Sequence, residues 1–314
     1  MSYRIFIDGQ SGTTGLEVRK RLALRAELSL LDIDDADRKD LKQRLALAAS
    51  ADLTILCLPD EAARTFAARA DGDIRLLDAS SAHRTADGWV YGLPELAGKQ
   101  RASIRNAARV SNPGCYPTGV LLLVRPLVET GLLPAQTPIS IVAQSGYSGG
   151  GKTMIRTYTE AGAGAFPGAR PYALRQNHKH LPEMCRYSGL DIMPIFMPSV
   201  APYYRGMLIR IPLRSSNLCA GANLQDVVTC WCARYAGEPC IRIVDHARQP
   251  SHDSEYLEPD GLAEKDHVEL SMTGDESRGV LIARFDNLGK GAAGAAVQNT
   301  NLMLQLPEHR GLHC

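Results

Sequence analysis

The run Tyr3-Arg4-Ile5-Phe6-Ile7-Asp8 is short and apolar, and Gly9-Gln10-Ser11-Gly12-Thr13-Thr14-Gly15 follows it at once, ahead of a segment with helical spacing from Leu16 to Leu22. A strand that turns on glycines straight into a helix is the opening of a βαβ unit, and it commits the chain to a parallel sheet. The unit then repeats. Residues 28–33, 52–58 and 74–78 are continuous apolar runs of strand length, and residues 36–49 and 60–70 between them carry helical periodicity. In the turn, Gly9 allows the tight bend, Gly12 the close approach of a pyrophosphate, and Gly15 the packing of helix on strand. The first gap is one residue longer than in the dinucleotide fingerprint, so a glycine loop without a ligand is the competing reading. Near the end of the second strand such a protein reads the cofactor ribose, through an acid for a free 2′-hydroxyl or a base for a 2′-phosphate. Asp32, Asp34 and Asp35 stand there against Arg38 and Lys39, which leaves NAD and NADP both open.

Asn112-Pro113-Gly114-Cys115-Tyr116-Pro117-Thr118 sets one cysteine between the end of a strand, 108–111, and an apolar helix over 119–127 that runs through Pro126. Pro113 and Gly114 make the corner, and Pro117 suits a first helical turn, where its missing N–H is not needed. The Cys115 thiol then faces the unpaired N–H groups and positive dipole end of a helix, which favours thiolate and can stabilise an oxyanion. A thiolate there can displace phosphate from an acyl phosphate and form a thioester, a better hydride acceptor than an oxygen ester and a better leaving group. The alternative is a buried small hydrophobe.

Of eight histidines, His178 and His180 stand apart because they flank Lys179 ahead of Leu181-Pro182-Glu183. A histidine exchanges protons near neutral pH, and in an extended segment residues two apart would line one pocket. Glu183 either orients an imidazole or caps the helix starting near Leu181. His246, His252, His267, His309 and His313 read as surface or satisfied core groups. Ser80, Ser81 and Arg84 follow the fourth strand, at the sheet edge where ligands of open α/β folds bind. Arg84 can grip a phosphate with its fork of donors, or the loop is a solvated turn. Asn112 holds either substrate or the turn itself. Gly146 to Thr153 matches a Walker loop formally, but it lies beyond the cysteine and away from the first βα unit, so we reject an ATP site.

Residues 192–198, 207–213, 241–245, 268–272 and 280–285 read as strands with one long helix, 222–235, among them, which predicts a mostly antiparallel second sheet. The small residues of 287–298 suit a helix packed closely on another backbone. A net charge of +1 from 35 basic and 34 acidic residues gives no electrostatic case for nucleic acid. No 18-residue apolar stretch offers a membrane span, and the amino terminus enters a strand within three residues, which argues against a signal peptide. Eight cysteines without paired C-x-x-C spacing argue against a metal site and a disulfide framework, and for a reducing cytosol.

Taken in order, the glycine turn, Asp78-Ala79-Ser80-Ser81-Ala82-His83-Arg84, Tyr91-Gly92-Leu93-Pro94-Glu95-Leu96, the cysteine heptapeptide, Ser145-Gly146-Tyr147-Ser148-Gly149-Gly150-Gly151-Lys152, His178 to Glu183, Arg205-Gly206 and Asp286 to Asn299 form a pattern. The chain resembles, over essentially its whole length, the N-acetyl-gamma-glutamyl-phosphate reductases of arginine biosynthesis, in particular their shorter type. The resemblance implies NADPH-dependent reductive dephosphorylation of N-acetyl-gamma-glutamyl phosphate to the semialdehyde. It implies an α/β Rossmann domain over 1–111, to which 287–314 return, and an α+β catalytic, substrate and oligomerisation domain over 112–286. Catalysis falls to Cys115 and His178. The NADP(H) site falls to Gly9, Ser11, Gly12, Thr13, Thr14, Gly15, Arg38, Ser148, Gly149 and Asn287, and the substrate to Ser80, Arg84, Asn112, His180 and Arg205. A small acyl phosphate, released phosphate, a homodimer or homotetramer and a cytoplasmic setting complete the expectation, with no metal, nucleic acid or membrane. Competing readings are an aminoadipyl-phosphate or aspartyl-phosphate reductase, a cysteine acyltransferase or hydrolase without redox cofactor, and a catalytically dead dinucleotide-binding regulator. Aspartate-semialdehyde and glyceraldehyde-phosphate dehydrogenases share the acyl-thioester logic but carry their cysteine in Asn-Cys-Thr or Ser-Cys-Thr, unlike Pro113-Gly114-Cys115-Tyr116.

Overall fold

Side chains alternate along β1 (Tyr3–Asp8), so Ile5 and Ile7 face one side of a sheet and Phe6 the other, all buried. The computed structural model describes residues 2–162, 164–245 and 256–314. The first of its two compact units comprises Met1–Gly114 with Ala292–Leu312. After β1 come α1 (Thr13–Leu22), β2 (Leu28–Leu31), α2 (Leu41–Ser50), β3 (Leu53–Leu56), α3 (Asp60–Arg69), β4 (Leu76–Asp78), β5 (Val90–Tyr91), α4 (Gln100–Asn106) and β6 (Arg109–Ser111). The strands pair in parallel in the order β2-β1-β3-β4-β6-β5, the sheet that the alternation predicts. Helix α2 starts later than the periodicity suggests because the Asp40 side chain accepts from Lys42 N at 2.8 Å and caps it there. One face of the sheet packs Ile5, Ile7, Leu53 and Ile55 against Val18 and Leu22 of α1 and Ala296, Val297 and Met303 from the carboxyl-terminal segment. The other packs Phe6, Leu56 and Leu76 against Ala48, Phe66 and Ala67.

The second unit, Cys115–Gly291 with His313–Cys314, has its own core. Its elements are α5 (Cys115–Glu129), β7 (Ser140–Gly146), α6 (Gly151–Glu160), β8 (Arg170–Pro171), α7 (Leu181–Ser188), β9 (Ile195–Ala201), β10 (Met207–Arg214), α8 (Leu224–Arg234), β11 (Ile241–Ile243), β12 (Val268–Gly274) and β13 (Arg278–Phe285). The sheet order is β11-β12-β13-β10-β7-β9-β8, antiparallel except where β11 meets β12 and β7 meets β9. Helix α5 is buried nearly all round and keeps Pro126 in its interior. Pro126 has no N–H for the Leu122 carbonyl four residues back, and the Tyr235 hydroxyl donates to that oxygen at 2.7 Å instead. Trp231 donates to the neighbouring Leu123 carbonyl at 2.9 Å, so α8 is stitched to α5 where the proline weakens it. A turn of π-helix, Gly289–Ala293, leads into α9 (Gly294–Met303), every residue of which is buried.

One expectation is overturned. Cys240 and Cys314 form a disulfide across a sequence separation of 74, which local spacing does not reveal. The chain end is brought there by backbone pairing: Asp266 N–H donates to the His313 carbonyl, and Val268 N–H to that of Cys240, each at 2.9 Å. His246 and His252 lie outside the described residues. Among the described residues, no helix is long and apolar enough to cross a membrane.

Candidate active site

The glycine turn closes as its spacing asks. Gly9 has φ +85°, a left-handed conformation, and a Cβ there would run into the Cys57 carbonyl oxygen. Gly12 N–H donates to the Gly9 carbonyl at 3.0 Å, and a Cβ on Gly15 would stand 2.5 Å from that same oxygen. Gly12 caps α1 without a side-chain bond, and the first helical bond runs from Leu16 N to Gly12 O at 2.8 Å. The N–H groups of Thr13, Thr14 and Gly15 therefore project from the helix end without intrahelical partners. The Thr13 hydroxyl oxygen is buried with no partner among the described residues. An uncapped helix end and an orphaned hydroxyl beside a glycine bend fit the pyrophosphate of a dinucleotide. Beneath the turn, Asp8 accepts from Arg44 at 2.6 and 2.9 Å, yet burial outweighs the guanidinium and pushes its pKa up. Burial also pushes the Cys57 thiol up to about 12, with Asp78 and Asp8 adding to it, so this cysteine is held as an inert thiol.

At the end of β2, Arg38 pairs with Asp35 at 3.0 Å on the surface. Asp32, the first residue past the strand, instead meets Arg19 of α1 at 2.7 Å. Arg19 lies in the last turn of α1 beside Lys20 and Arg21, a basic run that reads from sequence as a solvated helix end.

At the end of β4 the polar side chains bind one another. Asp78, fully buried, accepts from Ser80 N at 2.9 Å, from Ser80 Oγ at 2.8 Å and from His83 Nδ1 at 2.6 Å. Asp60 accepts from Ser81 N at 2.9 Å and Ser81 Oγ at 2.5 Å. His83 stacks on Trp89 with ring centroids 4.1 Å apart. Arg84 Nε donates to the Asn112 carbonyl at 3.0 Å. Asn112 is engaged at every polar group: its N–H donates to Asp78 O, its Nδ2 to Ala292 O, and its Oδ1 accepts from Asn299 at 2.9 Å.

In the second unit Cys115 is the first residue of α5, so its side chain sits at the helix amino end. Gly291 leaves room for it, since a Cβ there would lie 3.0 Å from the Cys115 Cβ. Tyr116 and Tyr172 both lie within the electrostatic reach of Cys115. Burial first, and then neighbours including Cys115, push Tyr116 well up, and burial carries Tyr172 up to about 12 against its hydrogen bond with Tyr116, with Cys115 adding to the rise. Tyr172 OH donates to Tyr116 OH at 3.2 Å and stands 3.4 Å from His178 Nε2. The segment 178–180 is not extended. Leu181 N–H bonds back to the His178 carbonyl at 3.0 Å, and in this turn the two imidazoles still meet, with ring centroids 4.7 Å apart. His178 Nδ1 accepts from the His180 backbone N–H at 3.1 Å, which leaves Nε2 as the protonated nitrogen of the neutral ring, turned to Tyr172. Tyr172 carries no motif of its own, and its contact with Tyr116 spans 56 residues of sequence.

The second glycine loop is clamped from two sides. Tyr147 N–H and Ser148 N–H donate to the Tyr203 and Tyr204 carbonyls at 2.9 and 3.0 Å. The Asn287 side chain accepts from Gly206 N at 2.8 Å and donates to Ser148 Oγ at 2.9 Å, so it ties both loops together. Arg205 meets Asp286 at 2.7 Å, and burial still holds the Asp286 pKa above its ordinary value. Gly149 lies beside Ser145 at the same bend.

Residues 32–105 match the family model described as semialdehyde dehydrogenase, NAD binding domain, and residues 115–287 that described as semialdehyde dehydrogenase, dimerisation domain. Solved structures of similar fold include aspartate semialdehyde dehydrogenase II from Vibrio cholerae, with a TM-score of 0.70 at 17% identity over 97% of this chain and 99% of that one. A probable aspartate-semialdehyde dehydrogenase from Pseudomonas aeruginosa gives 0.72 at 17% identity over the same shares. Among curated relatives, N-acetyl-gamma-glutamyl-phosphate reductase 2 of Pseudomonas putida is 44% identical over 306 residues, 96% of each chain. The protein of the same name in Nostoc is 44% identical over 319 residues, 98% of this chain and 99% of its own. The Rossmann-type first unit, the mixed second sheet and these full-length likenesses agree, and the chain belongs to the N-acetyl-gamma-glutamyl-phosphate reductase family.

Proposed function

We propose that this protein reduces N-acetyl-gamma-glutamyl phosphate, with NADPH, to N-acetyl-glutamate 5-semialdehyde and phosphate in arginine biosynthesis. The observation that carries the reading is Cys115 at the amino end of α5, in a unit that also brings His178, His180 and Tyr172 together. The Cys115 thiolate attacks the acyl carbon, the helix N–H groups stabilise the oxyanion, and phosphate leaves as the thioester forms. When bound, the dinucleotide supplies the hydride that this thioester accepts. His178 Nε2–H lends its proton to the carbonyl oxygen as each tetrahedral adduct forms and recovers it as the adduct collapses, and Tyr172 holds that ring edge. Gly9, Ser11, Gly12, Thr13, Thr14 and Gly15 hold the cofactor phosphates, and Ser148 and Gly149 its nicotinamide end. His180 and Arg205 serve the substrate, whereas Ser80, Arg84 and Asn112, expected to bind it as well, brace the loop after β4.

The first unit is the cofactor domain and the second the catalytic domain. The second unit also carries self-association: β9 leaves Ile195 and Met197 exposed on one face, with Ile192 and Met193 just ahead, and this supports a homodimer. A cytoplasmic setting follows from the pathway. The test is NADPH oxidation with N-acetyl-gamma-glutamyl phosphate, with the aminoadipyl and aspartyl analogues in parallel. Wild type should turn over the N-acetyl-glutamyl substrate fastest, and Cys115→Ala should lose at least about 10⁴-fold in kcat. Equal rates for the two proteins would exclude the thioester route.

A further inference from the structure

The pair at the end of β2 carries more than a surface ion pair usually does. Asp32 stands where a Rossmann domain reads the cofactor ribose. An acid there suits NAD, whose 2′-hydroxyl donates to it, and repels the 2′-phosphate of NADP. Arg19 changes that balance. Its two terminal nitrogens meet the Asp32 carboxylate at 2.7 and 3.2 Å, and the first of them also donates to Gln10 Oε1 at 2.5 Å, one residue past Gly9. The guanidinium therefore bridges the phosphate-binding turn and the ribose-reading position. Parallel pairing of β1 with β2 sets Phe6 beside Leu31, so Asp32 and the turn emerge on the same sheet edge. The Asp32 side chain is 63% exposed against 34% for Arg19, so the carboxylate can swing into water while the guanidinium stays fixed by Gln10. Arg38, the base expected here from sequence, is more exposed and is paired to Asp35 instead.

We infer that Arg19 is the residue that selects NADPH, exchanging its Asp32 partner for the cofactor's 2′-phosphate. The inference rests on the proposed use of a nicotinamide dinucleotide. A planar fork already held in place suits a phosphate bidentately, and the exchange leaves no charge unpaired: phosphate replaces carboxylate on arginine, and the carboxylate is solvated. With NADH the Arg19–Asp32 pair stays intact and the carboxylate accepts from the 2′-hydroxyl.

Isothermal titration of wild type, Arg19→Ala, Arg19→Lys and Asp32→Asn with NADPH, NADH, 2′,5′-ADP and 5′-AMP tests this without turnover. Arg19→Ala should weaken NADPH and 2′,5′-ADP roughly ten- to hundredfold and leave NADH and 5′-AMP within about threefold, the loss expected for a charged hydrogen-bonded pair. Arg19→Lys should fall between, and Asp32→Asn should bind NADPH more tightly and NADH more weakly. Equal weakening of both dinucleotides by Arg19→Ala would overturn the inference and reduce Arg19 to a prop for Gln10 and the turn. A wild type that prefers NADH would overturn it while leaving the dinucleotide reading intact. Wild type binding neither dinucleotide would remove that reading and the inference together.

Discussion

The turn after β1 and the loop after β4 lie at the same edge of one parallel sheet and are built from the same kinds of residue, but they spend their polar groups differently. Residues 9–15 leave the amino end of α1 without a side-chain cap and bury the Thr13 hydroxyl without a partner among the described residues. In residues 79–84 the hydroxyls of Ser80 and Ser81 go to Asp78 and Asp60, and Arg84 holds a backbone carbonyl. Serine, threonine and arginine at a sheet edge are thus not one signal. Groups without an internal partner are available to a ligand, and groups already saturated shape the frame. A buried polar group without a partner costs stability, so it persists where something else repays it.

That contrast can be broken most sharply at Asp78. Asp78→Ala removes the acceptor of three bonds inside the core and should cost about 3 kcal/mol of stability by urea denaturation. A variant that unfolds like wild type would mean the loop after β4 is not held from within. A second saturated carboxylate, Glu269 in β12, extends the contrast to the other unit. Burial opposes its ionisation, but His267, 3.9 Å away, and Arg284, 2.5 Å away, outweigh burial and hold its pKa down at about 2. Its contribution to stability is therefore present above the ordinary carboxylate value near 4.5 and is lost as pH falls toward about 2. Glu269→Gln should be less stable than wild type by about 2 kcal/mol at pH 7, and the gap should close on acidification through that window. A gap independent of pH would show that the side chain works by packing alone. The smallest effect belongs to the uncommitted group. Thr13→Val should raise stability by up to about 1 kcal/mol, by removing an unpaired buried hydroxyl, while weakening NADPH binding by about 1 kcal/mol, read by melting and titration on the same sample. A large loss of stability would place Thr13 with the frame.

The same distinction explains what could be read in advance. The strand, glycine bend and helix at residues 3–22 are local, and periodicity finds them. Cys115 is legible because Pro113, Gly114 and Pro117 fix its corner within a few residues. Asn112 and Asn287 look like ligand-binding amides in sequence, but their partners, Asn299 and Gly206, are remote, so only the fold reveals that they brace loops. Arg19 is masked by the basic run that ends α1, whereas Tyr172 and the Cys240–Cys314 link depend on pairings distant in sequence. The pair at His178 and His180 was found, although a turn brings the rings together where an extended segment was expected. The strands β5 and β8, of two residues each, are too short for any periodicity.

Helix α9 gives the chain an order of assembly. The first unit draws Ala296, Val297 and Met303 into its core and the Ala292 carbonyl onto Asn112, 180 residues back along the chain. Nearly all of the second unit is one continuous stretch, Cys115–Gly291, synthesised before them. Translation thus begins the first unit with residues 1–114 and completes its core only after residues 115–291 have been made. The dinucleotide-binding unit therefore lacks part of its core while the unit that contains Cys115 is made, and gains it when α9 emerges.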